Sequence, residues 1–159
     1  MRTETSLFSE AEALIVCAQL LLALDFMNRK RIVHRDLKPE NILISNRDDS
    51  LHSIDVRIAD FGFAEQLLKE PDQESSSDDE DFLVEEIKEN VAYGTPGYIP
   101  PEALHWKGYN LKSDIYSVGS ILFNLLTHKI LFPGSTDSTI LRSNKTGNVS
   151  HVPHYLNSI

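Results

Sequence analysis

The stretch IVHRDLKPENILI, residues 32–44, sets His34, Arg35, Asp36, Lys38 and Asn41 in one short polar loop. These residue types suit phosphoryl transfer. A carboxylate at Asp36 accepts a hydroxyl proton, an ammonium at Lys38 neutralises a phosphate, and an amide oxygen at Asn41 serves a hard cation such as Mg²⁺. A solvated turn with ordinary surface charges has the same composition, so the loop alone leaves both readings open. Ile32-Val33 before it and Ile42-Leu43-Ile44 after it predict short strands. Pro39 fixes its own φ and drives Lys38 towards an extended conformation, so the loop is expected not to be helix.

Other elements must position that loop. Ser9 followed by Glu12 forms a capping box, and Leu14, Cys17, Leu20, Leu21, Leu24 and Met27 recur at helical spacing as one apolar stripe. Asn28 to Arg31 give the helix a basic last turn. Ser45 to Ser53 is polar and predicts a loop; Ile54, Val56 and Ile58 then alternate with Asp55 and Arg57 as a half-buried strand that delivers Asp60-Phe61-Gly62. A second helix follows Lys112, capped by Ser113 or Asp114 and carrying Ile115, Val118, Ile121, Leu122, Leu125 and Leu126. It is apolar nearly all round, as a central buried helix would be. Ser135 to Ile159 is polar, with one short helix expected near Thr139.

Composition limits the alternatives. The chain has 159 residues, 41% hydrophobic and 25% charged, ordinary for one globular domain with a real core. A formal net charge of -9 argues against a nucleic-acid partner. The single cysteine, Cys17, excludes a disulfide framework and a cysteine-built metal site, and its apolar surroundings predict a buried structural thiol. Met1 to Ser6 is polar, and the apolar run from Ala11 to Leu24 is broken by Glu12 and Gln19. That predicts neither signal peptide nor membrane span, and a soluble protein of the cytoplasm or nucleus.

Four segments, in this order, resemble the eukaryotic protein kinase family. HRDLKPEN matches its catalytic loop without a gap, with Lys38 in the form that serine/threonine members carry. Asp60-Phe61-Gly62 matches the metal-binding triplet. GTPGYIPPE, residues 94–102, is similar to the anchor GTPxYxAPE, with Pro100 where alanine is usual. SDIYSVG, from Ser113, is similar to SDxWSxG with Tyr116 in place of tryptophan. The GTPGY form is somewhat like that of the calmodulin-dependent group.

The resemblance implies an α+β fold: the mainly helical large lobe of a kinase, with a small β-hairpin region holding the catalytic residues. It implies Asp36, Lys38 and Thr95 as the catalytic set, Thr95 hydrogen-bonding the other two. Lys38, Glu40, Asn41, Leu43 and Asp60 would bind ATP, Leu43 as floor of the adenine site, with Asn41 and Asp60 holding Mg²⁺. Phe61 would pack on His34, Gly62 would give backbone freedom, and Asp114 would tether the loop near His34. Glu102 matches a glutamate whose usual arginine partner lies in helices not matched here. The loop around Gly97 and Tyr98 would form a platform for the substrate protein.

The resemblance spans residues 9–142, leaving 143–159 as an incomplete remainder. No glycine-rich strand turn and no Val-Ala-Ile-Lys strand precedes the catalytic loop, so the small lobe is absent from this sequence and the chain alone is expected to be inactive or weak. Residues 69–89 hold ten acidic residues against two lysines, a net of -8 within the chain's -9, and should be disordered. They fall in the activation segment. Ser75, Ser76 and Ser77 each precede an acid by three residues, the pattern that acidophilic kinases prefer. Arg35 normally meets a phosphothreonine just before the Gly-Thr pair, yet no Ser or Thr lies between Ser77 and Thr95. Glu86 or Glu89 is expected to pair with Arg35 instead. Three functions follow: an incomplete stretch of an active Ser/Thr kinase, a truncated kinase-like binding module, and an acidic interaction protein working through residues 69–89.

Overall fold

A computed structural model describes residues 8–48, 53–67, 92–105, 107–150 and 152. Helix α1 (Glu10–Arg29) starts where the sequence predicts, with the full capping box: the Glu12 amide donates to Ser9 Oγ at 3.2 Å and the Ser9 amide to Glu12 Oε2 at 2.8 Å. Strand β1 (Ile32–Val33) leads into the polar loop. Lys38 is extended as expected, but the loop ends in a 3₁₀ helix, Pro39–Asn41, where none was expected, because proline's fixed φ suits a first helical position. Strand β2 (Ile42–Asp48) leaves it. Then come β3 (Ser53–Ile58), β4 (Glu65–Gln66), α2 (Pro101–Leu104), α3 (Ser113–Thr127) and α4 (Asp137–Thr146). The strands form two separate antiparallel pairs, β1 with β4 and β2 with β3.

The β2–β3 hairpin corrects one expectation. Residues 45–48 are strand, not loop, paired as Asn46 to Asp55, Arg47 to Ile54 and Asp48 to Ser53 beyond an irregularity between Ile44 and Asn46. Backbone pairing sustains this polar half. Arg47 adds an ion pair to Glu12 at 3.0 Å, so the carboxylate that caps α1 also anchors the hairpin.

The main core lies between α1, α3 and the hairpin: Val16, Leu20, Leu24, Met27, Leu37, Ile54, Tyr98, Val118 and Ile121. The buried face of α1 is therefore Ala13–Val16–Leu20–Leu24–Met27, and not the stripe read from the sequence; Leu14 and Leu21 are exposed and Cys17 is half-buried. The helix is apolar on two sides, so periodicity alone does not tell which one packs. Helix α3 departs from expectation similarly. Val118 and Ile121 are buried, but Ile115 is exposed and Ser113, Asp114, Ser117 and Ser120 occupy the inner face. A second cluster, Val33, Leu67, Ile99, Ala103, Leu104 and Tyr109, packs around the β1–β4 pair.

Helix α4 has its own capping box, with Thr136 and Thr139 exchanging hydrogen bonds, and ends at Gly147 with φ +63°. No helix among the described residues is long and apolar enough to cross a membrane. The acidic stretch 69–89, with Ser75, Ser76, Ser77, Glu86 and Glu89, lies outside the described residues.

Candidate active site

The polar loop is clamped from below by α3. Asp114 is 2% exposed; its Oδ2 accepts from the His34 amide at 2.7 Å and its Oδ1 from the Arg35 amide at 3.0 Å. The expectation that Ser113 or Asp114 caps α3 is thereby overturned: Lys112 is the N-cap and no side chain caps it. Ser113 Oγ instead accepts from the Asn110 amide and donates to Glu102 Oε1, both at 3.0 Å. Burial pushes the Asp114 carboxyl up from its ordinary range, while the two backbone hydrogen bonds pull it down.

Above that clamp the loop is held in an unusual backbone. Arg35 has φ +69°, and the buried His34 ring lies 3.1 Å from Ala59 O through Nε2 and 4.9 Å from the Phe61 ring. These contacts join the loop to the end of β3, which is fixed from its other side. The Gln19 carboxamide donates to Ile54 O at 2.6 Å and accepts from the Val56 amide at 3.0 Å, standing in for a neighbouring strand. Beyond Ile58, the Ala59 amide donates to Asn41 O at 2.9 Å, so residues 41 and 60 sit at adjacent strand ends.

At the centre stands Asp36, 4% exposed. Its Oδ1 accepts from Thr95 Oγ1 at 2.7 Å, and its Oδ2 lies 3.0 Å from Lys38 Nζ. Lys38 Nζ also donates to Thr95 Oγ1 at 2.8 Å, closing a three-membered network across 57 residues of sequence. Asn41 Nδ2 donates to Asp36 O at 2.9 Å. Its amide nitrogen is thus committed, which leaves the oxygen as the atom offered outward. Asp60 is exposed with φ +61°, and its Oδ1 accepts from the Gly62 amide at 3.2 Å.

Asn41 and Asp60 make a donor set of one amide oxygen and one carboxylate. That chemistry fits a small hard cation that keeps several waters and takes its other ligands from phosphate. Among the described residues no group of three or more His, Cys, Asp or Glu side chains could hold a metal by itself. Leu43 (54% exposed) lies on the open face of β2, and Glu40 is exposed on the 3₁₀ turn.

The segment bearing Thr95 is pinned by α3 and α4. Ser117 Oγ donates to Tyr98 O at 2.8 Å, and Asn144, fully buried, donates to Ile99 O at 2.8 Å while accepting from Tyr116 Oη at 2.5 Å. Burial, with a smaller push from Glu40, raises the Tyr98 phenol to about 12. Gly97 has φ +91°, a conformation that a side chain would strain. Sequence reading missed Gln19 and Asn144, because a polar residue on a helix carries no local signal of a distant backbone partner. It also missed Glu65, which pairs with Arg35.

The family model of the protein kinase domain matches residues 1–157. The chain belongs to the eukaryotic protein kinase family. Among the relatives of this kinase chain is the serine/threonine-protein kinase atg1 of Dictyostelium discoideum, 43% identical over 126 residues, which are 79% of this chain and 16% of that protein. The serine/threonine-protein kinase Nek6 of rice is 33% identical over 147 residues, 92% of this chain and 23% of its own length. A probable serine/threonine-protein kinase 2 of Plasmodium falciparum is 32% identical over 151 residues, 94% of this chain and 26% of that protein. The kinase chain thus spans about a quarter or less of these three relatives.

Proposed function

We propose that this chain is part of the catalytic domain of a Ser/Thr protein kinase that transfers the γ-phosphoryl group of ATP to a hydroxyl of a protein substrate. The observation that carries this reading is the buried Asp36 carboxylate, gripped by Thr95 at 2.7 Å and Lys38 at 3.0 Å. Asp36 is the group that accepts the substrate hydroxyl's proton as the bond to phosphorus forms. Thr95 holds the carboxylate's orientation, and Lys38 places positive charge where the transferring phosphoryl passes. Asn41 and Asp60 would hold Mg²⁺, which would supply charge neutralisation at the phosphate. Leu43, on the open face of β2, offers apolar contact to the adenine. Lys38 and Thr95 support a serine or threonine acceptor rather than tyrosine.

Within the kinase fold we assign these residues to the large lobe. Loop, hairpin and helices supply base, metal ligands and substrate platform. A second reading is a kinase-like module that binds protein partners through the platform around Gly97, where Ser117 and Asn144 hold the carbonyls of Tyr98 and Ile99. Phosphoryl transfer from labelled ATP by the full-length polypeptide, compared with its Asp36→Asn variant, separates the two. Transfer lost in the variant supports the kinase, and none in either leaves the binding module. We further propose that an acidophilic kinase modifies Ser75, Ser76 and Ser77; phosphopeptide mass spectrometry finding all three bare in cells would remove that idea.

A further inference from the structure

The ion pair at Arg35 has no part in the chemistry above. Its Nη1 lies 2.8 Å from Glu65 Oε2, and the arginine side chain is only 9% exposed. Arg35 Nε donates to Phe63 O at 2.5 Å, and the guanidinium lies 4.9 Å from the Tyr93 ring centre and 5.8 Å from that of Tyr109. Tyr109 Oη in turn donates to Tyr93 O. On the backbone side, Asp114 accepts from the Arg35 amide, and a Cβ on Gly94 would come within 2.6 Å of Arg35 O.

Arg35 therefore joins three stretches. One is its own loop, whose next residue is Asp36. Another runs from Asp60 through Phe63 to β4, where Glu65 is in register with Val33. The third is Tyr93-Gly94, immediately before Thr95. A guanidinium taken so far out of water needs a fixed anion beside it, or the junction loosens. Protein switches commonly recruit that anion as a phosphate added to a hydroxyl residue. Here the strand supplies a carboxylate already in contact, and no Ser or Thr lies between Ser77 and Thr95.

We propose that Glu65 is a positioning residue that, through Arg35, holds Asp36, Asp60 and Thr95 in mutual register without an added phosphate. A carboxylate built into β4 cannot be removed by a phosphatase, so the junction is permanently set. For its catalytic consequence this rests on the kinase reading above; for the ordering of the three stretches it does not.

The test uses the full-length polypeptide, with Glu65→Gln, Glu65→Asp and Glu65→Gly variants and two readouts. One is phosphoryl transfer from ATP, with kcat and KM resolved. The other is backbone hydrogen exchange across residues 32–36 and 63–66, which needs no turnover. Exhaustive phosphatase treatment should leave the wild type active and equally protected. Glu65→Gln should lower kcat about ten-fold or more with little change in KM, and should lose protection in both stretches. Glu65→Asp should keep most of both. Formate should restore activity and protection to Glu65→Gly, where chloride at equal ionic strength does not, a response that a general loss of packing would not give.

The proposal is overturned if Glu65→Gln matches the wild type in both readouts or if phosphatase silences the wild type. It is overturned equally if formate leaves Glu65→Gly unchanged. Should the wild type transfer no phosphoryl group, the kinase reading fails while the exchange data still decide the role of Glu65.

Discussion

At the scale of single residues, Asp36, Thr95 and Lys38 are coupled closely enough that each variant reports on the others. Thr95→Val removes the donor to Asp36 Oδ1 and the acceptor for Lys38 while keeping volume. In the full-length polypeptide it should cost about 10²-fold in kcat, and Thr95→Ser much less. Equal rates for the two variants in a labelled-ATP assay would show that the hydroxyl does not matter. Cys17 gives a second residue-level prediction. Burial pushes its thiol up from the ordinary value, so at neutral pH less of it is thiolate than of a free cysteine. A maleimide should label it more slowly than the unfolded chain, and the rate should climb with pH. Labelling of the folded chain as fast as that of the unfolded chain would contradict this.

Elements place those residues, and here the sequence is legible only where the signal is local. The capping box of α1 and the alternation Ile54–Val56–Ile58 are read directly, because both depend on neighbours within a few positions. The polar half of β2 is not, since its pairing is made by backbone and its side chains carry no apolar alternation. Asp114 was ambiguous for another reason: a capping aspartate and a tethering one look alike until the fold brings His34 across 80 residues. The polar loop was legible as chemistry only through its family resemblance, since its residue types alone also fit a solvated turn. Its supports were not, because Gln19, Glu65 and Asn144 act on distant partners. Gln19 is the clearest case. Gln19→Leu leaves Ile54 O and Val56 N without their side-chain partner, at about 1–3 kcal/mol for each part-buried group. Chemical denaturation should show that loss, and hydrogen exchange should rise first in residues 53–58. A rise spread evenly over α4 as well would mean that the glutamine supports global packing rather than β3.

Across the whole molecule, charge and apolar surface are unevenly shared. Nearly all the net charge of -9 falls within residues 69–89, and the rest of the chain sums close to neutral. Among the described residues Leu14, Leu21, Leu22 and Phe26 are exposed along α1, with Leu22 at 71% and Phe26 at 64%. An exposed apolar stripe of this kind favours contact between molecules. These side chains lie outside the buried core cluster, so changing the two most exposed should barely affect folding. Leu22→Glu with Phe26→Glu should therefore move the stability of this chain by about 0.5 kcal/mol or less per site. The loss of the Lys30 contact over the Phe26 ring, at 5.9 Å and exposed, falls within that range. The same change should sharply reduce binding of an apolar fluorescent dye and raise the concentration at which light scattering begins. A double variant that melts many degrees lower would show instead that this face is packed in the folded chain, and the burial assigned to α1 would have to be reversed.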